Sequence, residues 1–471
     1  MQGVELAYAG LARQAQLIAA GEVSSRELVE LYLARIARYD PVLNAFRTVF
    51  AERALLEATQ ADSRRAAGAL RPLLGVPIAV KDDIDVAGEL TCYGTNANQT
   101  PAAADAEVVR RLREAGAVII GKTHVPEMTL WPFTETASFG VTRNPWDLQR
   151  APGGSSGGSG AAVAAGLVGA ALGSDGAGSI RIPAAWCGLL GLKPQRGRVP
   201  LAPRPRAWHG MSVNGVLTRR VADTALFHDA VSGPSEVDLD KPPAPEMPFV
   251  QATAAAPGRL RIAYSTKFPG VVLAKLDERA SRALEQTVEL LRSLGHELAE
   301  RDPDYGNDAI PNVIARYMRG AHDDVQKLEH PERLERRTRT FARLGGLIPN
   351  GLLARSFAGE KGLSERINRV FADHDFLITP AVAAQAPPIG ALQGRGALWT
   401  LNTVAGWVPY NGVWNLTGQP AVSVPAGFSA EGLPQAVQIV APEGREGPLL
   451  ALAAQIEAQR PWADRVPPGF A

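Results

Sequence analysis

Lys81, Ser155 and Ser179 stand in settings that invite a chemical explanation. Lys81 follows the apolar run PLLGVPIAV (72–80), which reads as a buried strand delivering Lys81-Asp82-Asp83 at its end. A free lysine has a pKa of about 10.4 and cannot act as a base at neutral pH. Burial disfavours its charged form, so a desolvated lysine becomes a general base. Taken alone, Lys81 reads more simply as the ion-pair partner of Asp82 or Asp83. Ser155 lies in Gly153-Gly154-Ser155-Ser156-Gly157, which matches G-x-S-x-G. The nucleophile elbow of that pattern needs a strand immediately before it. Here the preceding residues are WDLQRAPGG, so the match is weak. Ser179 follows Gly176-Ala177-Gly178, whose small side chains leave backbone N–H groups free to converge. Preset donors of that kind are what a developing oxyanion requires. A serine after such a nest is placed to attack a carbonyl carbon, and its plainer reading is a surface serine on a glycine-rich turn.

Histidine does not complete a serine triad. His124, His209, His228, His296, His322, His330 and His374 are scattered and none sits in a motif. A serine–lysine arrangement is therefore the better chemical expectation. Both serines belong to one stretch, Arg150 to Pro194, around which the chain is organised. Its glycines would suit a flexible linker. The run passes directly into the apolar residues Ala161 to Val168, which argues for packed structure.

The elements that position these residues read as an α/β alternation. Val4 to Tyr39 is helical, with Ser24 and Glu27 forming a capping box and Asp40-Pro41 expected to end it. Another helix covers Ala51 to Ala67. Asp105 to Ala115 reads as a helix followed by a strand at Ala117 to Gly121. Ala170 to Gly173 is a buried strand, Asp175 to Arg181 a tight loop and Arg219 to Val231 a helix. Further on come a strand at Arg259 to Tyr264, an amphipathic helix at Asp277 to Leu294 and a charged helical region. Strands at Asp375 to Thr379, Ala421 to Pro425 and Ala436 to Val440 precede a last helix, Gly447 to Gln459. Strands alternating with helices predict an α/β fold around a mixed, mainly parallel twisted sheet flanked by helices.

The 471 residues are 46% hydrophobic and 21% charged, an ordinary globular composition. The net charge of +1 offers no overall field for nucleic acid or an anionic membrane. Cys92 and Cys187 are far apart and outside any metal-ligand spacing. The first residues, MQGVELAYAGLARQAQLIAAGE, lack the pattern of a secretory signal. No uncharged apolar run approaches the ~18 residues needed to cross a bilayer. A soluble cytoplasmic protein is expected. The basic segment ERLERRTRTFAR (332–343) reads as a solvated helix face rather than a nucleic-acid site.

The residues also resemble a known family. GVPIAVKDDIDVAG (75–88) is similar to the lysine motif of the amidase signature family, and GKTHVPE (121–127) to its second block. NPWDLQRAPGGSSGGSGAAVAAG (144–166) and GSDGAGSIRIPAAWCGLLGLKP (173–194) resemble the signature itself. ITPAVAAQAPPIG (378–390), NLTGQPAVSVPAG (415–427) and GLPQAVQIVAP (432–442) resemble the C-terminal blocks. The resemblance implies one catalytic domain over 1–471, with an N-terminal helical part (1–70) and a variable helical region (303–373) flanking the substrate entrance. It implies Ser179 as nucleophile, Ser155 with a cis peptide bond as bridge, and Lys81 as base. Backbone N–H groups of Gly176, Ala177, Gly178 and Ser179 would form the oxyanion hole. One departure is Gly176, where the family usually has a larger residue, and a wider pocket wall is expected there.

The implied activity is hydrolysis of a carboxylic amide through a serine acyl-enzyme, with no cofactor and no metal. Esters or carbamates would be side substrates. Trp208, Trp399, Tyr410 and Trp414 are candidate substrate-binding residues, which suggests an apolar or aromatic substrate part. The alternative within the family is the glutaminase-type A subunit of a glutamyl-tRNA amidotransferase, and a decayed, non-enzymatic binding protein is a third reading. The expected partner is a small-molecule amide, without nucleic acid or membrane, and a homodimer is left open.

Overall fold

The computed structural model describes residues 3–270 and 274–471. Its strands are β1 (Phe46–Val49), β2 (Pro77–Lys81), β3 (Val118–Thr123), β4 (Glu135–Thr136), β5 (Gly140–Val141), β6 (Ala170–Asp175) and β7 (Leu190–Lys193). They continue with β8 (Val213–Thr218), β9 (Arg261–Tyr264), β10 (Glu297–Glu300), β11 (Phe376–Pro380), β12 (Ala421–Phe428) and β13 (Pro434–Val440). Eleven of them form one sheet in the order β1-β3-β2-β6-β8-β7-β12-β13-β11-β9-β10, while β4 and β5 pair apart from it.

The sheet is mixed. The expected parallel order holds in two runs, β3–β2–β6 and β11–β9–β10. Between them β6, β8, β7, β12, β13 and β11 are antiparallel neighbours. Parallel pairing needs a long crossover, whereas a short turn makes antiparallel neighbours. The β12–β13 connection is such a turn, closed by the Ser429 N–H to the Leu433 carbonyl at 2.8 Å.

Buried Val, Ile, Leu and Ala of β2, β3 and β6 pack with the N-terminal helices and Gly157–Ala164 in the largest core. A second core lies around β11, β12, β13 and the helices Glu278–Ser293 and Glu446–Gln459. Each fully buried Val, Leu or Ile contributes about 1.5–3 kcal/mol relative to exposure.

The N-terminal part is helical over Val4–Ala7, Leu11–Ala20, Ser25–Leu43 and Ala51–Ala66, interrupted by β1. The capping box forms, with Ser24 and Glu27 satisfying each other's backbone groups. The helix does not stop at Asp40-Pro41 but runs to Leu43. Pro41 falls in the last turn, which closes when Asn44, at φ 52°, donates its N–H to the Asp40 carbonyl at 2.7 Å. The region 303–373 folds into the helices Ala309–Val325, Arg336–Gly346 and Asn350–Ile367. Among the described residues no helix is long and apolar enough to cross a membrane.

Candidate active site

Register places the lysine. β2 and β6 run parallel, with Ala79 opposite Ala171 and Val80 opposite Leu172. Their carboxyl ends therefore leave the sheet side by side, where ligands meet open α/β sheets. Lys81 is fully buried, and its Nζ lies 2.7 Å from Ser174 Oγ and 3.2 Å from the Ser174 carbonyl. The same nitrogen lies 2.8 Å from Ser155 Oγ and 3.2 Å from Asp83 Oδ2. Ser174 Oγ donates to Asp83 Oδ2 at 2.5 Å. Asp82 turns elsewhere, to Lys122 and Arg47 at 2.9 Å each. Thus Lys81 both pairs with Asp83 and reaches a serine hydroxyl. Burial pushes its pKa down and the Asp83 carboxylate opposes that shift, with burial the larger effect.

The glycines around Ser155 permit close packing rather than flexibility. A Cβ on Gly154 would stand 2.3 Å from the Trp131 carbonyl oxygen, and one on Gly158 2.4 Å from the His124 nitrogen. The Gly154–Ser155 peptide bond is cis. Ser155 then opens into the helix Gly157–Ala164, whose residues are all buried. Ser156 ties this segment to the loop after β6, its N–H donating to the Ser179 carbonyl at 3.1 Å and its Oγ to the Ser174 carbonyl at 3.2 Å.

The loop 176–179 differs from the sequence expectation in two respects. The Gly178 N–H donates to Asp175 Oδ1 at 2.6 Å, so it is committed inward and is unavailable to a ligand. Among the described residues the N–H groups of Gly176, Ala177 and Ser179 have no such partner. The expected wider wall at Gly176 is also absent. A Cβ there would lie 2.7 Å from the Trp208 ring, which occupies that space.

Two cavities meet at the half-buried Ser179. One is a polar crevice of about 70 Å³, lined by Ser155, Ser174, Asp83, Asp85, Asp324 and Trp208 among others. The other is an apolar chamber of about 520 Å³ walled by Trp131, Ile182, Val313, Tyr317, Leu401 and Val404 among others. No histidine lines either one among the described residues. Of the four candidate aromatic residues only Trp208 reaches a cavity. Trp399 is 60% exposed, because the phase of the helix Ala397–Trp407 turns Leu401 and Val404 inward. Tyr410 is core, donating its hydroxyl to the Thr266 carbonyl at 2.7 Å. Trp414 is core as well, set edge-on against Tyr305.

Sequence reasoning missed Ser174 and weighed Asp83 only as an ion-pair partner. It also missed the group beneath the loop. Asp175 Oδ2 accepts from the Ile180 N–H at 3.1 Å and from Arg181 Nε at 3.0 Å, and Oδ1 accepts from Asn415 Nδ2 at 2.9 Å. Gln438 Oε1 accepts from Arg181 Nη1 at 2.6 Å. The pairing of β2 with β6 is the signal that would have exposed Ser174. Asn415 and Gln438 lie in the blocks 415–427 and 432–442, but nothing in those runs says that they reach Asp175 and Arg181.

Comparison with known proteins gives a consistent result. The family model for amidases matches residues 27–450. The protein of Mycobacterium tuberculosis named "Putative amidase AmiB2" is 52% identical over 467 residues, spanning 99% of each chain. The 6-aminohexanoate-cyclic-dimer hydrolase of Paenarthrobacter ureafaciens is 35% identical over 492 residues, covering 96% of this chain and 95% of that one. A solved structure of 6-aminohexanoate cyclic dimer hydrolase complexed with substrate superposes with a TM-score of 0.90 at 32% identity, covering 99% of this chain and 100% of the other.

Proposed function

The chain belongs to the amidase signature family, and on that premise we propose that it hydrolyses a carboxylic amide through an acyl-enzyme on Ser179, with Ser155 as proton relay and Lys81 as base. The observation that carries this reading is the fully buried Lys81 nitrogen 2.8 Å from Ser155 Oγ, a serine that lines the same crevice as Ser179.

A neutral Lys81 offers two N–H donors and one lone pair. The donors are taken by the Ser174 hydroxyl and carbonyl, which leaves the lone pair for the Ser155 proton. Ser179 Oγ attacks the carbonyl carbon and passes its proton to Ser155 Oγ, whose own proton moves to Lys81. The oxyanion settles against the N–H groups of Gly176, Ala177 and Ser179. Collapse breaks the C–N bond, and the proton returns from Lys81 through Ser155 to the departing amine nitrogen. Water then repeats the sequence on the ester, giving the acid and free Ser179. Catalytic hydrogen bonds such as that from Ser179 to Ser155 are often long without substrate and tighten when it binds.

The region 303–373 flanks the substrate entrance in this reading, supported by Val313 and Tyr317 of the helix Ala309–Val325 in the chamber wall. The relative's substrate, a cyclic amide of 6-aminohexanoate, carries methylene chains of the type an apolar chamber accommodates. The glutaminase-type alternative fits less well, because a glutamine side chain is polar and the chamber wall is not.

Ser179→Ala tests the assignment. Amide turnover falls about 10³-fold or more, and the acyl adduct seen by intact mass on the parent protein disappears. Near-parent turnover by Ser179→Ala would end the proposal.

A further inference from the structure

The two cavities at Ser179 differ in size and in polarity, and that difference orients the substrate. Resting on the acyl-enzyme reading above, we propose that the apolar chamber takes the acyl half and the carboxylate-lined crevice takes the leaving amine. The substrate class is then amides of bulky apolar acids with ammonia or a small, uncharged or cationic amine.

The proton path decides the direction. The departing nitrogen must receive its proton from Ser155, and Ser155 lines the crevice and not the chamber. Ser174 and Asp83, which flank Lys81, are also on the crevice side. The amine therefore leaves into a space of about 70 Å³, while the acyl carbon carries its substituent into about 520 Å³. The walls agree with this. An amine product is protonated in neutral water, and Asp83, Asp85 and Asp324 stand around it, with Arg204 the one basic lining residue among the described residues. An alkyl or aryl acyl group meets Ile182, Val313 and Val404.

The crevice owes its small size to Trp208, whose conformation is fixed. Its indole N–H donates to Asp324 Oδ2 at 2.9 Å, and its ring stands edge-on to Tyr317 of the chamber wall at 5.0 Å. It lies between Gly176 and Gly320, where an added Cβ would come within 2.7 Å and 3.0 Å of it. Trp208 has φ of 45°, and Tyr93, Met128 and Thr129, also in the crevice wall, have φ of 51°, 54° and 56°. Non-glycine residues in the left-handed region gather where function requires them. Trp208 is thus a specificity-determining residue that caps the size of the amine.

Two substrate series test the proposal. Primary amides of acids of increasing chain length should show kcat/KM rising about 3–4-fold per methylene until the chamber is full. With hexanoyl fixed as acyl group, kcat/KM should fall at least about tenfold from ammonia or methylamine to aniline and to glycine as the amine. Trp208→Ala should raise the ratio of anilide to primary amide about tenfold or more, a ratio independent of how much of the variant is folded. Preference for a small acyl group on a large amine overturns the orientation and leaves the hydrolase reading intact, since a Ser179 acyl adduct still forms. An unchanged ratio in Trp208→Ala overturns the role of Trp208. Absence of both turnover and adduct across the series overturns the hydrolase reading and the orientation with it.

Discussion

As the proposed base, Lys81 has to be uncharged to accept a proton, and its surroundings pull in both directions. Burial favours the neutral amine, while Asp83 Oδ2 at 3.2 Å favours the ammonium. The base form is present above the lysine pKa, so activity rises with pH along an acid limb that reports Lys81. Asp83→Asn keeps an acceptor for the Ser174 hydroxyl and removes the charge. The ammonium is then less favoured, the lysine pKa falls further, and the acid limb of kcat/KM moves to lower pH. A limb that stays in place or moves up would show that another group titrates there. Lys81→Met removes the proposed base, so kcat should fall about 10²–10⁴-fold with KM changed far less.

The loop 176–179 is an element whose shape is fixed from inside the protein. Asp175 takes the N–H groups of Gly178 and Ile180, and Arg181 grips the same carboxylate with Nε and Nη2. Burial alone would push the Asp175 pKa up, but the Arg181 guanidinium and the Asn415 amide hold it well below the usual carboxylate range. Asp175→Asn leaves Arg181 buried without its counter-charge, a loss of about 3–5 kcal/mol by analogy with broken buried pairs. The loop donors also lose their alignment, so kcat falls about 10²-fold or more while KM moves little. Steady-state kinetics with a thermal melt checks both parts. How much of this was readable in the chain depends on the kind of element. β2, β3 and β11 showed as apolar runs because neighbours cover them on both faces. β1 and β10 did not, since as edge strands they carry FRTV and ELAE with mixed exposure. β7 and β8 were hidden by Gly191 and Gly215, where an added Cβ would lie 2.5 Å from Ala184 Cβ and from the Leu192 carbonyl. Lys81, Ser155 and Ser179, the proposed catalytic set, could be singled out as candidates because the resembling motifs carry them. Ser174, Asn415 and Gln438 lie in the quoted blocks too, but they act through strand pairing and long-range contacts, which no local spacing records.

At the scale of the whole molecule the segments near both chain ends are stitched to the layer that carries the proposed active site. Arg35 Nε donates to the Gly166 carbonyl at 2.8 Å and Tyr8 to the Phe470 carbonyl at 3.0 Å, so both termini close over the largest core. Asp223 makes the matching contact from the helix Val221–Val231, accepting the Ala12 N–H at 2.8 Å at the start of Leu11–Ala20. Its side chain is fully buried, and burial pushes its pKa up to about 7, against the Ala12 N–H that lowers it. A folded pKa raised above the unfolded value of 3.8 means stability present below pH 3.8 and lost as pH rises through about 7. Asp223→Asn keeps the acceptor for Ala12 and cannot ionise. Buried His124, His228, Lys81 and Lys193 titrate in the same way in both proteins and cancel in the difference between them. The stability of Asp223→Asn relative to the parent should therefore climb between about pH 4 and pH 7 and level off above that, read as the difference in denaturant midpoint at each pH. A difference that is flat across that range would mean that Asp223 is ionised in the fold throughout, and that docking of the first long helix relies on the charge.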